Sequence, residues 1–329
     1  MAGWLSPGLL TPSRFVDAFE QVHGVHAGFR RNHAKGVCIA GYFDSNGAGV
    51  PLSKAAVFEP SRVPVIGRFS LAGGNPDVAD APTAVRAVAL AFRPPDGEEW
   101  RIATIDLPVF AVRTPQAFYE QLLASQPDPT TGKPNPAKMG AFLASHPETA
   151  RALKIIRAQP FSTGFDNATY YGLNAFRLVK AAGSSTPVRW WLAPVDPFKP
   201  EDSTQPATQD KNYLFDAIIA RVHRGPVQWH LIITVGQPGD PTDDATVPWP
   251  SDRRRVDVGM LTIDQIEGEA RGNCRDINFD PLVLPDGIAP SDDPLLSARS
   301  AVYSQSFTRR AGEKKNPSPV QAPETGRGP

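Results

Sequence analysis

The chain has 329 residues, 41% hydrophobic and 21% charged, enough apolar material for one large domain or two small ones with a sizeable core. Its 34 basic and 34 acidic residues cancel, so no charge field directs it to nucleic acid or to an anionic membrane surface. No stretch is apolar for long enough to cross a bilayer, and residues 1–7 lack the basic-then-apolar pattern of a secretory leader, so a cytoplasmic location is expected.

Thr11-Pro12-Ser13 opens a short helix whose apolar stripe is Phe15, Phe19 and Val22. Cys38 lies in the strand-like run 37–43 and Cys274 far along the chain. Neither has metal-ligand spacing, and they read as buried thiols rather than a disulfide, with one long-range bridge left open. Asn46-Gly47 signals a turn, and the runs 63–70, 84–93 and 100–106 are strand-like, the last two joined by a hairpin at Asp96-Gly97. Pro115 opens a helix carrying Phe118, Leu122 and Leu123, and 137–158 is helical in two pieces broken at His146-Pro147. Four more strand candidates follow, 171–180, 188–195, 227–235 and 256–264, with Pro/Asp/Thr-rich loops at 197–212 and 237–252. The 35 prolines point to long, stiff connections rather than continuous helices.

Eight strands with helices inserted late and at the ends define an α+β chain with an antiparallel sheet, closed barrel or sandwich. The domain runs through residues 1–310, and 311–329, rich in Pro and Gly, reads as a disordered tail.

The helix before that tail has a clean start, with Asp293 able to cap and Pro294 suited to the first position. Arg299, Tyr303, Phe307 and Arg310 share one of its faces. A guanidinium one turn before a tyrosine favours the phenolate, one of the few protein ligands for ferric haem. Far upstream stands Arg30-Arg31-Asn32-His33-Ala34-Lys35-Gly36.

The Arg-x-x-His-Ala-Lys-Gly run and the Arg-x-x-x-Tyr helix, in this order and at this separation, resemble the catalase family. The short chain without a C-terminal helical domain is similar to the small catalase-related peroxidases. The resemblance implies an eight-stranded antiparallel barrel with inserted and C-terminal helices. It also implies haem b, with Tyr303 ligating the iron, Arg299 keeping that tyrosine ionised and His33 as acid and base. Ser70, in Arg68-Phe69-Ser70, would bond the other ring nitrogen of His33 and fix its tautomer. Arg30, Arg68 and Arg310 match the arginines that hold the haem propionates. Phe110, in Pro108-Val109-Phe110, and Phe118 match aromatics packed on the porphyrin.

Two positions depart from the family pattern. The distal asparagine that donates to bound peroxide falls at Ile105, unless Thr104 or Asp106 takes its place through a one-residue slip. Phe307 stands where full-length catalases carry a histidine. Both departures favour a peroxidase, using a peroxide and a small organic reductant, over a fast disproportionating catalase. A true small catalase, a hydroperoxide isomerase or lyase, and a non-catalytic haem carrier are the alternatives. No nicotinamide site is expected, and the absent N-terminal arm points to an assembly smaller than the usual tetramer, a homodimer.

Overall fold

The structure, a computed structural model, describes residues 10–201, 210–270 and 273–322. Parts of the 197–212 loop and of the 311–329 tail therefore lie outside the described residues. Helices α1 (Pro12–His23), α2 (Pro115–Ala124), α3 (Pro136–Ser145), α4 (Pro147–Ala158) and α6 (Pro294–Ala311) all begin on proline; α5 (Tyr213–His223) does not. At that first position the missing N–H has no intrahelical partner to lose. The prolines expected as stiff connectors thus also serve as helix starts. Thr11, Thr114, Asn135 and Asp293 cap four of these helices through their side chains, each cap worth about 1 kcal/mol.

The strands are β1 (Gly36–Ser45), β2 (Arg62–Leu71), β3 (Arg86–Phe92), β4 (Trp100–Ile105), β5 (Tyr170–Tyr171), β6 (Phe176–Val179), β7 (Ser185–Pro194), β8 (Val227–Val235), β9 (Arg255–Glu267) and β10 (Ile288–Pro290). They run antiparallel in the order β10-β6-β7-β5-β4-β3-β2-β1-β9-β8, and β7 also pairs with β8. Eight of them thereby close into a barrel, with β6 and β10 as an extension on β7. Closure removes the exposed sheet edges that an open sheet would present.

The inward-facing residues are large and interlocked. Trp100 stacks on Phe92 at 4.9 Å between ring centres and meets Trp190 edge-on at 5.1 Å, and Phe176 stacks on Trp190 at 4.1 Å. Helix α5 closes this core with Leu214, Phe215, Ile218, Ile219 and Val222. Among the described residues no helix is long and apolar enough to cross a membrane.

Three expectations are corrected. The single strand expected over 171–180 is split into β5 and β6, because Leu173 takes φ 59° and turns the chain between them. Cys38 and Cys274 are not free thiols. Their Cα atoms lie 5.3 Å apart and they form a disulfide, which pins the 3-10 turn Asn273–Asp276 to β1. The described part of the tail is not disordered. Glu313 accepts from the Gly28 N–H at 2.7 Å and forks onto Arg31, and Asn212 donates to the Pro319 carbonyl at 3.1 Å. Val320 is buried against the core, so the domain extends past residue 310.

Candidate active site

Successive residues of a strand face opposite sides, so the strands that fill the barrel with rings present a second face outward. Across β2, β3 and β4 the register aligns Arg68, Ala89 and Ala103 in one row and Ser70, Ala87 and Ile105 in the next. The alanines leave this outer wall shallow. Helices α1, α2 and α6 stand off from it and enclose a cavity of about 570 Å³. His33, Ser70, Arg30, Arg68, Phe110, Phe118, Arg299, Tyr303 and Arg310 all line it. One cavity therefore gathers every site residue expected from the sequence.

His33 adopts φ 55°, a left-handed conformation uncommon for a non-glycine residue. Its neighbours impose it. The Asn32 side-chain oxygen accepts from the His33 N–H at 3.0 Å and from the Gly73 N–H at 2.8 Å. Arg68 donates to the carbonyls of His33 at 2.7 Å and Ala34 at 2.8 Å. Any side chain on Gly36 would collide with that guanidinium, which explains the glycine. Ser70 Oγ lies 3.3 Å from His33 Nδ1, leaving Nε2 for the cavity. Burial, and after it the charges of Arg68, Arg30 and Arg299, push the imidazole down to about 3. It is therefore neutral, the form a base requires.

Arg30, Arg68 and Arg310 crowd one end of the cavity. Arg68 Nε binds the buried Glu269, and Arg30 lies 3.8 Å from the same carboxylate. Arg30 also donates to the carbonyls of Cys274 at 2.9 Å and Ile277 at 2.7 Å, so the disulfide-anchored turn holds it in place. Arg310 donates to the Arg275 carbonyl. Burial, then Arg68 and Arg310, draw the Arg30 guanidinium well below its ordinary range, and burial lowers Arg310 to about 10. Three cations around one buried carboxylate form a receptor for an anionic group, whose charge would offset their repulsion.

On α6, Arg299 Nη2 donates to the Tyr303 oxygen at 3.3 Å and Nη1 to Asn174 Oδ1. Asn174 donates at 2.8 Å to Asp293, whose other oxygen caps the helix at the Leu295 N–H. The helix cap is thereby linked to the phenol oxygen through the buried Asp293 and Asn174 and the half-buried Arg299. Phe110 meets Phe118 edge-on at 5.4 Å at the α2 side of the cavity. Phe307 packs beneath Arg310, 4.9 Å from its guanidinium, outside the cavity lining.

The register at β4 is unambiguous. Ile105 lines the cavity, the Thr104 hydroxyl is spent on the Val88 carbonyl at 2.8 Å, and Asp106 turns away to accept from the Arg86 N–H at 3.0 Å. Residues 104–106 therefore offer no donor to the cavity. Sequence reasoning missed Glu269, Asn174 and the support given by Asn32. Only the Arg68-Phe69-Ser70 alternation signalled anything about that wall. A flat group with two anionic arms and a metal that accepts a tyrosine oxygen fits these residues.

The fold and this cavity define a class, and the chain belongs to it: the catalase family model matches residues 2–327, and members of that family generally bind haem. Particular relatives sharpen the match. The chain is 39% identical over 308 residues to the "Catalase-related peroxidase" of Synechococcus elongatus, covering 94% of this chain and 91% of the relative. It is 34% identical over 317 residues to the protein of the same name from Mycolicibacterium paratuberculosis, covering 96% and 99%. A fungal catalase structure superposes with TM-score 0.78 at 21% identity, over 87% of this chain and 60% of its own. Catalase A from Saccharomyces cerevisiae gives 0.77 at 21%, over 94% and 67%.

Proposed function

We propose that the chain is a haem-dependent peroxidase that reduces hydrogen peroxide or organic hydroperoxides with a small organic electron donor and has little catalase activity. The observation that carries it is a neutral, clamped His33 sharing its cavity wall with Ile105, where a polar donor to peroxide would stand in a fast catalase. The names of the two relatives that match most of the chain support the same reading.

Haem b, when bound, would supply the electrons that reduce the peroxide. Arg30, Arg68 and Arg310 would hold its propionates, Phe110 and Phe118 would pack against it, and Tyr303 would ligate the iron. Arg299 presents a donor and a fixed positive charge to the tyrosine oxygen, an environment suited to the phenolate. His33 Nε2 takes the proton from the near peroxide oxygen and returns it to the far one as the O–O bond breaks. Ser70 holds the ring in the tautomer this needs.

The reading also depends on what Ile105 does not do. Hydrogen peroxide bound as a second reductant lacks a hydrogen-bond donor from this strand and competes poorly with an apolar organic donor. The test loads the protein with haem and compares donor oxidation with oxygen release from hydrogen peroxide. Donor oxidation should dominate. Equal or faster oxygen release without a donor would overturn the proposal.

A further inference from the structure

The outer row that begins at Ser70 does not stop at the cavity. Register carries it from Ser70 to Ala87 and Ile105, then to Tyr171 on β5 and Trp191 on β7. Directly paired residues of adjacent strands project to the same face, so Tyr171 and Trp191 lie on the wall that carries His33's partner. Their inward neighbours Tyr170 and Trp190 belong to the core. Tyr171 stacks on Trp191 with ring centres 6.3 Å apart and planes 24° from parallel. The indole N–H donates to Thr234 Oγ1 at 3.2 Å, and the exposed Arg255 guanidinium lies 5.6 Å from the indole ring centre.

A cross-strand aromatic pair stabilises a sheet wherever it occurs. This one has two further properties. It continues, strand by strand, a row that ends in the cavity, and its outer member lies beside an uncovered positive charge. Phenol and indole are also the side chains that most readily give up one electron, and stacked rings pass electrons well.

We propose that Tyr171 and Trp191 form a second electron-donor site, on the barrel's outer wall, for bulky anionic aromatic donors that do not enter the cavity. The inference rests on the peroxidase reading above. A peroxide takes two electrons, and here they arrive singly: ROOH + 2 AH → ROH + H2O + 2 A•, with AH an arylamine or phenol bearing sulfonate or carboxylate. Tyr171, half-buried, gives an electron inward past Ile105 while its phenol proton passes to solvent, and it regains the electron from Trp191 and the proton from solvent. Trp191 loses its indole proton on the Thr234 side, and the donor restores both proton and electron. Arg255 selects the anionic donor by charge.

The haem-loaded protein is treated with peroxide and a nitroso spin trap, digested and read by peptide mass spectrometry. In parallel, oxidation rates are compared for a sulfonated azo dye and for guaiacol, which is small enough for the cavity. The wild type should carry an adduct on Trp191, and Trp191→Phe should lower the dye-to-guaiacol rate ratio about tenfold or more. Tyr171→Phe should lower it too, although the dye's contact surface remains. Guaiacol oxidation with no Trp191 adduct, or an unchanged ratio in both variants, overturns this site and leaves the peroxidase reading standing. Failure of the wild type to oxidise either donor overturns both.

Discussion

His33 and Tyr303 line one cavity from very different backbones. Tyr303 sits inside an 18-residue helix, and helical spacing places its partner Arg299 one turn before it. His33 sits outside any regular element, in a left-handed conformation that costs about 1–3 kcal/mol and must be imposed by contacts from elsewhere. Asn32 and Arg68 supply them, and Arg68 in turn depends on Glu269. The difference follows the chemistry each residue would perform. A metal ligand needs one oxygen at one place, which a helix provides. A group that takes and returns a proton must be held by several clamps at once.

That contrast yields graded tests. The largest effect is expected at the base. His33→Ala should lower the rate of peroxide reduction about 10²–10⁴-fold while haem binding, read from the Soret band, is retained. Loss of both together would make His33 a cofactor-holding residue instead. Next is the clamp. Arg68→Ala removes two hydrogen bonds from the His33 turn and leaves the buried Glu269, among the described residues, with the longer contact to Arg30 as its remaining ion pair. It should cost about 3–5 kcal/mol in urea unfolding of the haem-free protein, because a buried charge loses its partner. A surface-sized effect would show that the turn holds itself.

A smaller change is expected from restoring a donor. Ile105→Asn should raise oxygen release from hydrogen peroxide about tenfold, roughly the worth of one good hydrogen bond. No rise would mean that Ile105 does not set the balance between the two activities.

The smallest expected change concerns pH. With its imidazole pushed down to about 3 from the ordinary 6.5, His33 stays neutral in the folded protein through that whole window. The peroxide-reduction rate should therefore show no inflection near 6.5. The unfolded chain does take up that proton below 6.5, so this histidine's contribution to stability falls as pH drops through the window.

The same contrast explains what the sequence disclosed. Elements with a period were readable: seven of the eight barrel strands, the helix pair broken at His146-Pro147 and the Arg299–Tyr303 face all leave a local signature. Helix α5 also carries one, in Leu214, Phe215, Ile218 and Val222, but its start has neither the proline that opens the other five helices nor a side-chain cap bond to mark it. The split at Leu173 was hidden, since leucine gives no warning of a positive φ. Glu269 and Asn174 were hidden for another reason. Each acts on an arginine more than a hundred residues away, and such pairings exist only once the barrel has closed. The Cys38–Cys274 bridge spans 236 residues and was beyond local reading for the same reason.

The central claim is that Tyr303 holds ferric haem in this cavity. It is tested most directly by the absorption spectrum of the haem-loaded protein beside that of Tyr303→Phe, loaded in the same way. The account predicts a five-coordinate ferric-haem spectrum with tyrosinate ligation in the wild type, lost or altered in the variant. Identical spectra would contradict it and remove the proposed ligand along with the mechanism built on it.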